Sequence, residues 1–326
     1  MGTLTALEKL IPVGLAFGCG ALFARRKAIP ADSSKAFSDF SFLFAIPCYL
    51  FGNLYTSDLG TLFDARAICG YMVFALLSMV LVGWASRVSS TREPRGVALR
   101  VMGGVQVNTA YFAVPVFTML FGTAAPIFPV LLFQTCVLTS VIILVMELGA
   151  DPRPDGPDGE PSVRRRAAAR IGRATWASLT TPIVLACAFA IALNLLKVPV
   201  PSSVLSGFSF VGNAASPVAL FALGLHLGGA GLAVRGTPRE EVWLVAFKCL
   251  VFPVLIWTGC HYVFGVHGAW LNYLVLIAAM PAPQNLFIFA QRYDVDVDLS
   301  AALVIKSSAA SLLLLPLWFQ VVRLSH

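Results

Sequence analysis

Charge is what this sequence has least of. Of its 326 residues only 12% are Asp, Glu, Lys or Arg, about half the share found in ordinary soluble domains. A chain so poor in charge cannot cover most of its surface with water-facing side chains. No Cys-X-X-Cys pair occurs either: the seven cysteines, at 19, 48, 69, 136, 187, 249 and 260, fall singly inside apolar runs. That spacing argues against a disulfide framework or a zinc site and for small apolar filler. HExxH, GxSxG and a membrane-depth aspartyl dyad are all absent, which removes the usual motifs of a membrane enzyme. No enzyme activity, catalytic set, cofactor or metal is therefore expected. The start, MGTLTALEKLIP, lacks a basic leader segment, and the apolar run behind it continues to Arg25-Arg26-Lys27. It reads as an uncleaved first span rather than a signal peptide.

What is present is apolar sequence in long stretches, 58% of the chain with a mean hydropathy of +0.82. About 20 apolar residues cross a bilayer as helix. Runs bounded by charges or turn residues give ten spans: 4–24, 36–56, 67–87, 97–121, 124–148, 174–196, 203–228, 241–264, 270–291 and 299–322. Prolines inside several of them do not argue against helix, because neighbours in a membrane bundle satisfy the freed carbonyls. Alternating the spans puts the basic residues at 25–27, 35, 87–100, 153–173, 235–239 and 292 on one side. The other side receives Lys9, Arg66, Lys197 and Arg323, while Lys248 and Lys306 stay within spans. This asymmetry is the positive-inside pattern. It also absorbs the net charge of +7 into topology, so no nucleic-acid partner is implied. Both termini are expected outside a cell membrane, a bacterial inner membrane, with membrane lipid as the surrounding partner. The segment 149–173, rich in Pro, Gly and charge, reads as a cytosolic linker.

The linker divides the chain into 1–148 and 174–326, and the halves resemble each other. At an offset of 170, Pro12 meets Pro182, Lys27 meets Lys197, Ser33 meets Ser203, Pro47 meets Pro217 and Phe51 meets Phe221. In the fourth and ninth spans an offset near 172 pairs Phe117 with Phe289. Five spans per half is an odd number, so the second half enters the membrane from the opposite side. The fold class expected is thus all-α integral membrane, ten transmembrane helices as two inverted five-helix repeats, a hallmark of secondary transporters.

Two spans are interrupted by proline and amides at matching places. One carries Asn108-Thr109-Ala110-Tyr111-Phe112-Ala113-Val114-Pro115, the other Met280-Pro281-Ala282-Pro283-Gln284-Asn285. Proline opens a helix, and backbone freed at mid-membrane depth is tolerated where it lines a cavity. Half-helix N-termini there offer N–H donors and partial positive charge to an anion. Asn108, Thr109, Tyr111, Pro115, Pro281, Pro283, Gln284 and Asn285 are accordingly the substrate-binding candidates. Lys306, beside Ser307 and Ser308, joins them as a cation for an anionic substrate, against the alternative that it snorkels to headgroups as Lys248 would. No carboxylate lies deep in a span, so coupling to H+ or Na+, or uniport, is left open.

At these residues the chain resembles the auxin efflux carrier family, whose bacterial members are often labelled malonate or organic-acid transporters. The similarity rests on NTAYFAVPVFTMLFG at 108–122, ASPVALFALGLHLGG at 215–229 and MPAPQNLFIFAQRYDVDVDLSAALVIKSS at 280–308, with FKCLVFP at 247–253. It implies a fold shared with bile-acid symporter-like carriers, in which broken helices 4 and 9 cross at the substrate and a transport domain moves against a scaffold in elevator fashion. It also implies the binding role for Asn108, Pro115, Pro281 and 282–285, and a homodimer. The linker is far shorter than in the long plant carriers, which weighs against auxin itself. The function expected is a carrier of a small organic anion, a mono- or dicarboxylate. A sensor that kept the transporter fold without transport is the alternative, and a channel or membrane enzyme fits less well.

Overall fold

The computed structural model describes residues 2–57, 64–148, 172–173, 176, 179–230 and 238–324. Of the expected linker, 149–173, only the last two residues are among them. The described residues form helices, turns and short irregular segments, without a strand. We number the helices α1 (Gly2–Arg25), α2 (Ala31–Thr56), α3 (Ala65–Ser89), α4 (Pro94–Val105), α5 (Val114–Phe121), α6 (Ile127–Met146), α7 (Pro182–Leu195), α8 (Ser202–His226), α9 (Arg239–Val263), α10 (Gly268–Ala278), α11 (Asn285–Tyr293) and α12 (Val297–Leu324). Each expected span overlaps helix among the described residues. Six of these helices (α2, α3, α6, α8, α9 and α12) are long and apolar enough to cross a membrane alone. The spans expected at 97–121 and 270–291 are each split, into α4 and α5 and into α10 and α11.

The outer surface is apolar, with Phe210 83% and Leu313 81% exposed beside Trp84, Val80 and Tyr262. Such a surface suits lipid rather than water. Within it the helices form two groups. In the first, α1 packs against α8 and α2 against α7 and α8; the second holds α3–α6 and α9–α12, with α4 packed on α3 and α6, and α12 on α10 and α11. α5 touches both α1 and α8, joining the groups.

Prolines shape the helices locally. Wide turns with π geometry at Ser41–Ala45, Thr109–Ala113 and Phe247–Val251 lie just ahead of Pro47, Pro115 and Pro253. A proline ring clashes with the carbonyl four residues back; the extra residue in the turn gives the ring room and the helix continues with a bend.

The α1–α8 contact depends on bare backbone. A Cβ on Gly224 would lie 2.1 Å from the Phe17 carbonyl oxygen, and one on Gly20 2.2 Å from that of Phe221. Close backbone approach through small residues is how helices associate where lipid removes the hydrophobic drive. Gly224→Leu is therefore expected to force the pair apart, at ~1–3 kcal/mol or more. A fall of several degrees in the unfolding midpoint of detergent-purified protein checks it, with Gly14→Leu, which meets nothing within 4 Å, as the silent control.

The two halves also share backbone detail. Lys27 and Lys197 both take left-handed conformations, φ 56° and 52°, each two residues past the end of its helix, α1 and α7. Their capping bonds coincide: Lys27 N to Ala24 O and Ala28 N to Phe23 O, against Lys197 N to Asn194 O and Val198 N to Leu193 O. Each pair is related by the offset of 170. Gly122 and Asp294, which close α5 and α11, are both left-handed at the offset of 172.

At one end of the second helix group, Arg100 pairs with Glu240 and Asp296 and donates to the Gly96 carbonyl at 2.9 Å. Arg100 is buried, and it ties α4 to the start of α9 and to the turn ahead of α12.

Candidate functional site

Between α4 and α5, residues 106–108 leave helical geometry; between α10 and α11, residues 281–283 do the same. The two extended segments meet. Asn108 N donates to the Pro281 carbonyl at 2.9 Å, so each interruption satisfies part of the other. The rest is satisfied from neighbouring helices, as buried backbone requires. The Gln134 side chain of α6 accepts from Val107 N and donates to Val107 O, both at 2.7 Å. On the other segment Ser307 Oγ of α12 accepts from Ala282 N at 3.0 Å, and Ser311 Oγ donates to Ala279 O at 2.9 Å.

A cavity of about 220 Å³ lies at this crossing. Its walls come from the first break (Gln106, Val107, Asn108, Thr109, Tyr111), the second break (Pro283, Gln284, Asn285), α6 (Leu131, Gln134, Thr135, Thr139), Phe42 of α2, and Thr181, Ile183 and Val184 at the start of α7. Among the described residues no charged one lines it. Asn108 opens the turn that leads into α5: its Oδ1 accepts from Tyr111 N at 3.2 Å, which fixes the amide with Nδ2 as the remaining donor. That Nδ2 is buried and meets no protein acceptor, and neither does Gln106 Nε2. Gln284 and Asn285 begin α11, so a second helix N-terminus faces the same space.

Tyr111 stacks on Phe42, ring centroids 5.5 Å apart at 21°, and with Gln284 it separates this cavity from a second one. The second, about 420 Å³, runs between α2, α8, α11 and α12 past Ile288 and Val304 to Lys35, Asp39 and His226.

The sequence candidates Asn108, Thr109, Tyr111, Pro283, Gln284 and Asn285 are brought together as cavity lining. Pro281 takes part through its carbonyl. Pro115 is buried in α5 below the lining, where it supports the wide turn. Lys306 pairs with Glu241 at the head of α9 and lines neither cavity. Lys248 does not snorkel. It is 1% exposed, and its Nζ donates to the carbonyls of Val105 at 3.4 Å and Ala278 at 3.3 Å. Sequence reading missed Gln106, Gln134, Thr135, Thr139 and Thr181. The signal available was a polar spacing of i, i+1 and i+5 (Gln134, Thr135, Thr139) in an otherwise apolar helix, since intramembrane polar groups turn inward.

A lipid-facing helical bundle with two interrupted helices meeting at a buried, amide-lined cavity has the architecture of a membrane transporter. Sequence comparison gives the family. Residues 5–319 match the model described as membrane transport protein, and the chain belongs to that family, which bears out the resemblance to auxin efflux carriers. It is 24% identical over 283 residues, 84% of each chain, to an uncharacterized transporter of Methanothermobacter thermautotrophicus. To the uncharacterized transporter YfdV of Escherichia coli K12 it is 22% identical over 318 residues, 97% of each chain. A 130-residue stretch, 40% of each chain, is 26% identical to a Rhizobium meliloti protein named "Putative malonate transporter".

Proposed function

We propose that this chain is a secondary transporter that carries a small organic anion, a mono- or dicarboxylate, across the cell membrane by elevator-type alternating access. The observation that carries the reading is the pair of buried amide donors, Gln106 Nε2 and Asn108 Nδ2, unpartnered beside a cavity that no acidic side chain lines among the described residues. A buried donor left unpaired costs ~1–3 kcal/mol. A carboxylate entering the cavity repays that cost and gains charge-assisted bonds. The helix N-termini at Thr109 and Asn285 add partial positive charge on the same side. A cation would find donors where it needs acceptors. The cavity's modest volume suits a molecule of few heavy atoms, and the name of the Rhizobium relative points to the same substrate class.

The chain is read as ten spans in two inverted repeats. Supporting this are the matched left-handed caps at offsets 170 and 172 and the two breaks braced alike by the following helix. The elevator step is supported by the position of the site. Phe42 and Thr181–Val184 belong to the group α1, α2, α7 and α8, and the remaining lining belongs to the other group. Sliding one group past the other would carry the crossing, with its substrate, from one side to the other. The second cavity, ending at Lys35 and His226, is the inward path if the basic side of the chain is cytosolic.

A thermal-shift screen tests the substrate class. Purified protein is heated with mono- and dicarboxylates, indole-3-acetate and amino acids. A ligand at a hundredfold excess over its dissociation constant adds about 2.7 kcal/mol of stability. A rise in midpoint with one carboxylate class is expected; a rise with amino acids or none with any anion would count against the proposal.

A further inference from the structure

We infer that Lys248 occupies a cation site at the helix crossing, its ammonium standing where other carriers would bind a monovalent coupling ion. The residues whose carbonyls it meets are not arbitrary. Val105 is the last residue of α4 and Ala278 the last of α10, so both half-helix C-termini converge on one Nζ. A helix C-terminus carries about −0.5 elementary charge. Two of them sum to about one negative charge, which one ammonium balances. Half-helix C-termini and unwound carbonyls are where transporters coordinate Na+. The Phe252 ring, 4.6 Å from Nζ, supplies a further cation-directed face. Among the described residues no carboxylate pairs with Lys248; the backbone dipoles of the crossing are its counter-charge.

The crossing is thereby polarised. Its positive helix ends face the anion cavity, and its negative ends are capped by a side chain that cannot leave. A carrier built this way cycles without binding a monovalent cation. The inference extends the transport reading, but its test reads stability alone, so either can fail without the other.

The test compares unfolding midpoints of wild type, Lys248→Ser and Lys248→Met in NaCl, LiCl, KCl and choline chloride at one ionic strength. Wild type is expected to be indifferent to the cation. Lys248→Ser removes the ammonium, leaves the two carbonyls and adds a hydroxyl, so its midpoint is expected to rise by ~3 °C or more from choline to Na+ or Li+. Lys248→Met fills the space without charge and is expected to be lower than wild type and flat across salts. A wild-type midpoint that rises specifically with Na+ would overturn the inference, as would a flat response from Lys248→Ser. If Lys248→Ser can be purified only in Na+ or Li+, that supports a cation taking the ammonium's place; recovery in none of the salts counts against it.

Discussion

Asn108→Ala is expected to weaken carboxylate binding by ~10- to 150-fold while leaving the protein folded. The wild-type amide does two things. Its Oδ1 caps Tyr111 N at 3.2 Å, and its Nδ2 lies buried beside the cavity without a protein acceptor. Losing a hydrogen bond to a charged acceptor removes ~1.5–3 kcal/mol, and each 1.4 kcal/mol is about tenfold in affinity. The backbone bond from residue 108 to the Pro281 carbonyl does not depend on the side chain, so the crossing itself is retained. Asn108→Asp separates the two roles. It keeps the cap to Tyr111 N but replaces the donor with a negative charge facing the site, and binding is expected to fall further than with alanine. Titration of the carboxylate found by thermal shift, followed calorimetrically on both variants, reads the difference.

Gln134→Leu should be the most destabilising single change at the site. One side chain satisfies both the N–H and the carbonyl of Val107 at 2.7 Å, in a segment that has no helix or sheet to serve it. Leucine of similar size leaves both backbone groups buried without partners, at ~1–3 kcal/mol each. The unfolding midpoint should drop by many degrees. Gln134→Glu isolates the donor half: the carboxylate still accepts from Val107 N but meets the Val107 carbonyl with negative charge. It should destabilise nearly as much, whereas Ser307→Ala, which removes one partner from Ala282 N, should cost roughly half. An unfolding midpoint lower for Ser307→Ala than for Gln134→Leu would contradict this explanation of what holds the breaks open.

Proline and amides disclose a broken helix because their chemistry is local: a missing N–H and a ring that clashes with the preceding turn. Asn108, Gln284 and Asn285 could therefore be picked from sequence, and so could the place where each helix breaks. The bracing role of Gln134 could not, because it exists only once α6 lies against a segment 27 residues earlier; its polar spacing marks no more than an inward face. Lys248 shows the limit most plainly. Depth along its span suggested a stem reaching for headgroups, yet the crossing of α4 with α10 brings two helix C-termini to its ammonium. That juxtaposition depends on tertiary packing, which periodicity does not encode. Lys306 is similar: its neighbours Ser307 and Ser308 suggested a site, but its partner is Glu241, on another helix. The repeated prolines could be matched by eye because a proline bends a helix wherever it stands; the shared left-handed caps at Lys27 and Lys197 could not be foreseen, because lysine has no preference for that conformation.

In the proposed cycle a small organic anion crosses the membrane bound at the meeting of the two breaks. Uptake of labelled malonate and a panel of other mono- and dicarboxylates into proteoliposomes, with wild type and Asn108→Ala side by side, tests it most directly. Saturable uptake of at least one carboxylate by wild type is expected, competed by its unlabelled form and reduced at least tenfold in a folded Asn108→Ala. Uptake no greater than that of empty liposomes for every carboxylate, or equal uptake by the two proteins, would contradict it.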